Sequence, residues 1–240
     1  MAKRFSVPCS TVPRSIPRST IDRRSARAAV IGAAPDPRGA ELITDNDFVA
    51  VCDGGLNFAL KRGIRFGMLV GDFDSYTGRL PDLPDSVELI RLPSEKDDTD
   101  TGFAVKTLLR RGFRDFLIIG GVGGRFDHTL GNIAVAADIA AHRGICELAG
   151  GAEGERIFVF RNRTIKLTPA KGAFVSIFPW GSASATVTAS GFKYPLEHGK
   201  VSARTTLGVS NEFAPGSKRS VPAEITAESG TVVVVVNSHG

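Results

Sequence analysis

From residue 28 onward the chain alternates short apolar runs with stretches whose apolar residues recur every three or four positions. Runs of strand length stand at 28–32, 48–52, 68–70, 87–92, 116–119 and 145–149. The run at 116–119 is apolar throughout, the pattern of a parallel strand covered on both faces. Between 99 and 111, Phe103, Val105, Leu108 and Leu109 mark one face of a helix, and a longer helix is predicted from about 127 to 142. A shorter helix follows the second strand and runs to about Arg62. Strands alternating with helices predict an α/β fold built on a doubly wound, mostly parallel sheet.

Gly150, Gly151 and Gly154 end that region, and beyond them the helical period disappears. The runs at 156–160, 164–167, 174–178, 185–189 and 231–236 are β-branched or aromatic and are separated by Gly, Pro and Asn. They predict a smaller antiparallel β-sandwich. The expected division is therefore a tail over 1–27, an α/β domain over 28–150 and a sandwich over 151–240. No internal repeat interrupts it. Trp180, the single tryptophan, is expected in the sandwich core.

Composition adds few constraints. The chain has 240 residues, 42% hydrophobic and 23% charged, ordinary values for a globular protein with one large or two small domains. The longest unbroken valine run, 232–236, is strand-sized, so no membrane span is expected. Three widely spaced cysteines, Cys9, Cys52 and Cys146, give neither a disulfide framework nor a zinc pattern, and a cytoplasmic location is expected. Charge is more informative once it is located. Residues 1–29 hold seven basic residues against the single acid Asp22, a net of +6, so the +5 of the whole chain leaves −1 for the rest. The basic character belongs to a Ser-, Pro- and Arg-rich tail without apolar periodicity, where Pro8, Pro13 and Pro17 break any amphipathic helix. A disordered extension, or a start codon placed too early, accounts for it, and no nucleic-acid partner is expected.

The candidate chemistry lies where the predicted strands end, which in a parallel sheet is one rim. Asp53-Gly54-Gly55 closes the second strand, and its glycines permit close backbone approach to an anion. The third strand ends in Gly71-Asp72-Phe73-Asp74-Ser75. Two carboxylates two residues apart in extended chain lie on one face, and they suit Mg2+ that shares its remaining positions with substrate phosphates. After the fourth strand comes Lys96-Asp97-Asp98-Thr99-Asp100. Asp and Thr cap helices, but three carboxylates beside one lysine exceed what a cap requires. After the fifth strand, Gly120-Gly121-Val122-Gly123-Gly124-Arg125-Phe126-Asp127-His128 offers a backbone able to wrap phosphates and a fork-shaped cation, with Asn132 further along the helix. Neither of the two common nucleotide-binding glycine signatures is present. Together these groups equip Mg2+-dependent phosphoryl or pyrophosphoryl transfer. No covalent nucleophile stands out: Cys52 lies in an apolar strand and Ser75 has no neighbouring base in sequence. Direct in-line attack is expected, with Asp97 or Asp127 accepting the hydroxyl proton.

In their order, DGGLNFAL, GDFDS, KDDTDTGFA and GGVGGRFDHTLGN resemble the thiamine pyrophosphokinase family. The resemblance extends to the second domain through SGFKYPL at 190–196 and GVSNE at 208–212. It implies transfer of the β,γ-diphosphate of ATP to the hydroxyl of thiamine, with AMP released, by a homodimer that holds thiamine between subunits. It further implies Asp72, Asp74 and Asp100 around Mg2+, and Asp53, Gly54, Lys96, Asp97, Gly123, Gly124, Arg125, Asp127, His128 and Asn132 around ATP and the reacting groups. Tyr194, Ser210 and Asn211 would meet thiamine, although some members carry Trp where Tyr194 stands. The competing readings are a diphosphokinase for another alcohol, such as a pterin carbinol, and a non-catalytic nucleotide- or thiamine-binding protein.

Overall fold

The computed structural model describes residues 26–34, 37–73, 80–151 and 154–237. Six strands run parallel: β1 (Arg27–Ile31), β2 (Phe48–Cys52), β3 (Met68–Gly71), β4 (Glu88–Arg91), β5 (Asp115–Val122) and β6 (Ile145–Gly150). Their spatial order is β6-β5-β1-β2-β3-β4. The chain thus moves outward from β1 to β4, returns past β1 to β5, and continues outward on the other side. The order reverses between β1 and β5, the kind of switch point at which open α/β sheets bind ligands.

Helices cover both faces, as the apolar periods require. Helix α1 (Leu56–Lys61) packs on one face, where Leu56, Phe58 and Ala59 meet Ile31, Val49, Val51 and Leu117. Helices α2 (Asp100–Arg110) and α3 (Phe126–Ala141) cover the other. There Val105, Leu108, Ile133 and Ala136 bury Val30, Ala50, Val70 and Ile118. Adjacent strand residues fall into opposite cores because side chains alternate across a strand. This is the doubly wound sheet expected from the sequence.

The antiparallel part differs from a free-standing sandwich. Strands β7 (Arg156–Arg161), β9 (Phe174–Trp180), β12 (Asn211–Glu212) and β14 (Thr231–Asn237) continue the same sheet beyond β6, in the order β12-β9-β14-β7-β6, to give ten strands. A second sheet, β11-β10-β13-β8, packs against this extension; it comprises β8 (Thr164–Leu167), β10 (Ser184–Ser190), β11 (Leu196–Ser202) and β13 (Ala223–Ser229). Phe160, Val175, Ile177, Val232 and Val234 of the large sheet meet Ile165, Val187, Val201 and Ile225 of the small one. Trp180 is partly buried and packs on the helix-side core instead.

At the other end, β1 begins at Arg27, one residue inside the expected tail, while residues 1–25 lie outside the described ones. Arg27 is held by its partner: Nε and Nη2 donate to the two oxygens of buried Asp47 at 3.1 and 2.8 Å. No helix among the described residues is long and apolar enough to cross a membrane.

Candidate active site at the carboxyl rim

The carboxyl ends of β1, β2, β3 and β5 gather the residues singled out by type. Asp53 opens a single 3-10 turn after β2 and is buried. Gly71, at the end of β3, lies so close beneath it that a Cβ there would stand 2.6 Å from the Asp53 Cβ. Asp72 follows. Thr99 caps α2 by accepting from Gly102 N at 3.0 Å, which fixes Asp100 in the first turn. Lys96, in the loop just before, places Nζ 2.9 Å from Asp100 Oδ1 and 3.3 Å from Asp72 Oδ2. Contact with Asp100, reinforced by Asp72, holds the lysine above its ordinary pKa, so the ammonium is charged. Two carboxylates from separate loops that converge on one ammonium can equally converge on a metal ion, and one or two protein carboxylates are what Mg2+ usually takes. Among the described residues there is no cluster of three acids, histidines or cysteines arranged for a metal. Of the expected trio, Asp72 and Asp100 are described here, and Asp74, like Ser75, lies outside the described residues.

The acidic run divides by helical phase. Asp98 turns along α2 and pairs with Lys106 at 2.6 Å, away from Asp72. Asp97 is exposed in the loop beside Lys96.

The glycine-rich stretch also divides. Gly120 and Gly121 belong to β5 and press on Ala34 and Leu148, so they serve packing rather than a phosphate loop. Only Gly123 and Gly124 form the loop, with φ of 94° and 66°, and no atom lies within 4 Å of where a Gly124 Cβ would be. Gly54 likewise abuts Ala33, where a Cβ would meet another Cβ at 2.8 Å. Asn132 lies one and a half turns into α3, and its Nδ2 donates to Gly121 O at 3.1 Å, tying α3 to the end of β5. Arg125 and Asp127 are exposed and paired, Nε to Oδ1 at 3.1 Å. The guanidinium holds the Asp127 carboxyl below its ordinary pKa. His128 is exposed. Three strand spacings separate β5 from β3, so this group stands about 14 Å along the rim from Asp72.

Sequence reasoning missed the loop after β1. Gly32, Ala33 and Ala34 lie at the switch point, against Gly54, Gly55 and Gly120. They carry no reactive side chain, and only the strand order reveals their place.

Cys52, buried at the end of β2, has its thiol pushed up to about 12 by that burial, which leaves it inert as a nucleophile.

The C-terminal candidates lie elsewhere. Asn211 is buried in β12 at the far edge of the large sheet, and all of its polar contacts are to backbone. Its Oδ1 accepts from Tyr194 N at 3.2 Å and Glu212 N at 2.9 Å, and its Nδ2 donates to Tyr194 O at 2.8 Å. Tyr194 itself is 62% exposed. Ser210 has a left-handed backbone, φ 57°, and its N–H donates to Ser176 Oγ at 3.0 Å. Eight strand positions separate β12 from β3, about 38 Å measured along the sheet.

Residues 40–146 match the family model described as thiamin pyrophosphokinase, catalytic domain, and residues 162–232 match thiamin pyrophosphokinase, vitamin B1 binding domain. The chain belongs to the thiamin pyrophosphokinase family. It is 29% identical over 165 residues to the thiamine pyrophosphokinase of Bacillus subtilis (strain 168), covering 67% of this chain and 76% of that protein. It is 24% identical over 234 residues to thiamine pyrophosphokinase 1 of Oryza sativa subsp. japonica, covering 85% of this chain and 86% of the relative. The fold is similar to that of the Bacillus subtilis thiamine pyrophosphokinase crystal structure, with a TM-score of 0.73 at 21% identity over 90% of this chain and all of the other. The first thiamin pyrophosphokinase model covers the acidic rim, and the second covers Tyr194, Ser210 and Asn211.

Proposed function

We propose that this chain is a thiamine diphosphokinase that transfers diphosphate from ATP to the thiamine hydroxyl and releases AMP. The observation that carries the reading is the convergence of Asp72 and Asp100 on Lys96 at the carboxyl rim, in a chain whose other half matches a vitamin B1 binding domain.

Asp72 and Asp100 hold Mg2+, with Asp74 as the third carboxylate implied by the resemblance. The bound ion neutralises charge on the phosphates. Lys96 and Arg125, stationed on two parts of the rim, bind the phosphate oxygens and meet the charge that grows during transfer. The inert Cys52 thiol supports direct in-line attack by the substrate hydroxyl on the β-phosphorus. Of the two acids able to take the hydroxyl proton, Asp127 is engaged by Arg125 and weakened as a base. Asp97 takes that role. Asp53, Gly54, Gly123, Gly124, His128 and Asn132 shape the ATP side of the rim.

The span of the sheet supports a homodimeric site. A small molecule cannot touch Asp72 and the β12 edge of one chain across eight strand positions. A twofold-related second copy brings its own Tyr194, Ser210 and Asn211 to the rim, an arrangement that a self-complementary interface repeats twice.

Chromatography of a reaction containing ATP, Mg2+ and thiamine tests the reaction. AMP should rise in step with thiamine diphosphate. Stoichiometric ADP with thiamine monophosphate would refute the bond assignment, and turnover with a pterin carbinol but not thiamine would refute the acceptor.

A further inference from the structure

The opposite rim, where the parallel strands begin, carries a feature that the proposed reaction leaves unused. A cavity of about 460 Å³ opens between the end of α3 and the turn joining β7 to β8. Its lining is Ala140, Ala141, Arg143, Arg161, Asn162 and Arg163. Half of these residues are arginines and none is acidic.

The three guanidiniums come from two chain segments that the fold ties together. Arg143 follows the last turn of α3 with a left-handed backbone, φ 62°, and its carbonyl accepts from Arg163 Nη2 at 2.8 Å. Arg161 is the last residue of β7, and Asn162, also left-handed at φ 50°, turns the chain toward the small sheet. Arg143 and Arg161 have no ion-pair partner among the described residues, whereas Arg27, Arg65, Lys96, Lys106, Arg111 and Arg125 of the parallel half each pair with a carboxylate. Asp115, at the start of β5, feels Arg27 and Arg163 together with the acids Asp47 and Glu147, and those two acids are paired with Arg27 and Arg156. With three arginines and no acid in its lining, the cavity is positive.

We propose that this cavity is a binding site for a small diphosphate-bearing anion, separate from the carboxyl rim. Guanidinium forks match phosphate oxygens in pairs. Three forks and the Asn162 amide give enough donors for two linked phosphates, and the volume falls within the ordinary range for small-ligand pockets.

The test is calorimetric titration of inorganic diphosphate, in EDTA and at low salt, into the full chain carrying Lys96→Ala and Arg125→Ala to suppress binding at the carboxyl rim. One diphosphate per chain is expected, with affinity that falls as salt rises. Adding Arg161→Glu should weaken it by at least about tenfold, the loss of one charge-assisted contact. Arg143→Asn, a residue that tolerates left-handed backbone, should weaken it likewise. In an otherwise unaltered chain, Arg161→Glu should leave turnover at saturating substrates unchanged. ADP as a second titrant separates sources: equal affinity means that the free diphosphate suffices, and tighter ADP means that the organic part is also read. No binding in the Lys96→Ala, Arg125→Ala chain, or equal binding with and without Arg161→Glu, would overturn the site.

Discussion

Asn211 offers the sharpest separation between a residue that touches thiamine and one that positions what does. Its side chain is 8% exposed and makes three hydrogen bonds, two accepted by Oδ1 from Tyr194 N and Glu212 N and one donated by Nδ2 to Tyr194 O. Asn211→Ala removes all three at once. At about 0.5–1.5 kcal/mol net for each neutral bond, the loss of three is roughly 1.5–4.5 kcal/mol. Tyr194 is 62% exposed, so water can take over its N–H and C=O, which favours the lower end. A cost of about 2 kcal/mol lowers the melting temperature of a chain this size by about 4–8 °C. Because the clamp fixes the backbone that carries the Tyr194 ring, the KM for thiamine should rise while kcat at saturating thiamine changes little. Amide hydrogen exchange at residues 192–196 should accelerate. Thermal melts, steady-state kinetics and exchange on the same preparation decide the matter. A melting temperature within about 1 °C of the parent combined with a raised thiamine KM would refute the clamp and make Asn211 a direct ligand contact.

Four other outcomes are expected. Asp72→Asn should lower turnover roughly 100-fold or more, each factor of ten being about 1.4 kcal/mol of transition-state stabilisation; wild-type turnover in steady-state assays would count against a metal-holding role. Assayed at thiamine far below the raised KM, Asp72→Asn chains mixed with chains altered at both Tyr194 and Asn211 should recover about a quarter of wild-type turnover, since half of random dimers are mixed and each keeps one intact site of two; no recovery in verified mixed dimers would refute shared sites. On the small sheet, His198 Nδ1 lies 2.8 Å from Glu228 Oε2 and raises above 6.5 on contact with that carboxylate, while Glu228 falls below 4.5. The histidine contribution is full below its unfolded pKa and is lost as pH rises through its folded value, and the glutamate contribution is lost as pH falls through its own. Glu228→Gln should therefore remove a stability increment centred between those limits, and identical pH profiles of the melting temperature would argue against the pair. Finally, Asp47→Ala should cost roughly 3 kcal/mol in denaturant melts by stripping a half-buried Arg27 of its counter-charge, and a change near zero would mean that water replaces the pair.

Elements with unbroken apolar runs were legible from the sequence: β2 and the cores of β1, β5 and β6 fall where hydrophobicity places them. Strands carrying weak contrast were not. In β13, Ala223, Ile225 and Ala227 alternate inward, but alanine gives little signal against Thr and Glu. In β11 only Val201 is fully buried, because the strand forms an edge of the small sheet. The acids of the rim were legible by residue type, yet their partition was not. Which of Asp97, Asp98 and Asp100 faces Asp72 depends on where Thr99 starts α2, and capping geometry varies by a residue or two from any pattern. The role of Asn211 was hidden for a different reason: a signature position marks importance, and buried backbone clamps and ligand contacts leave the same mark.

The continuity of the large sheet connects the two halves of the proposed site. Ile157 and Val159 of β7 and Val233 of β14 lie in the same core as Ile133 and Ala136 of α3, so α3 covers strands from both halves of the chain. Cutting the chain near 151 would expose that part of the helix face and leave β6 an open edge, which makes the catalytic half a poor candidate for independent folding. It also makes the separation between the acidic rim and the β12 edge a property of a hydrogen-bonded ladder rather than of a linker. Interiors of this kind resist deformation, so flexing one chain would not bring the acidic rim to the β12 edge. In the proposed dimer a second copy would have to arrive in the one orientation that matches the ladder, and the specificity of the proposed site would then rest as much on the interface as on the residues proposed to touch thiamine.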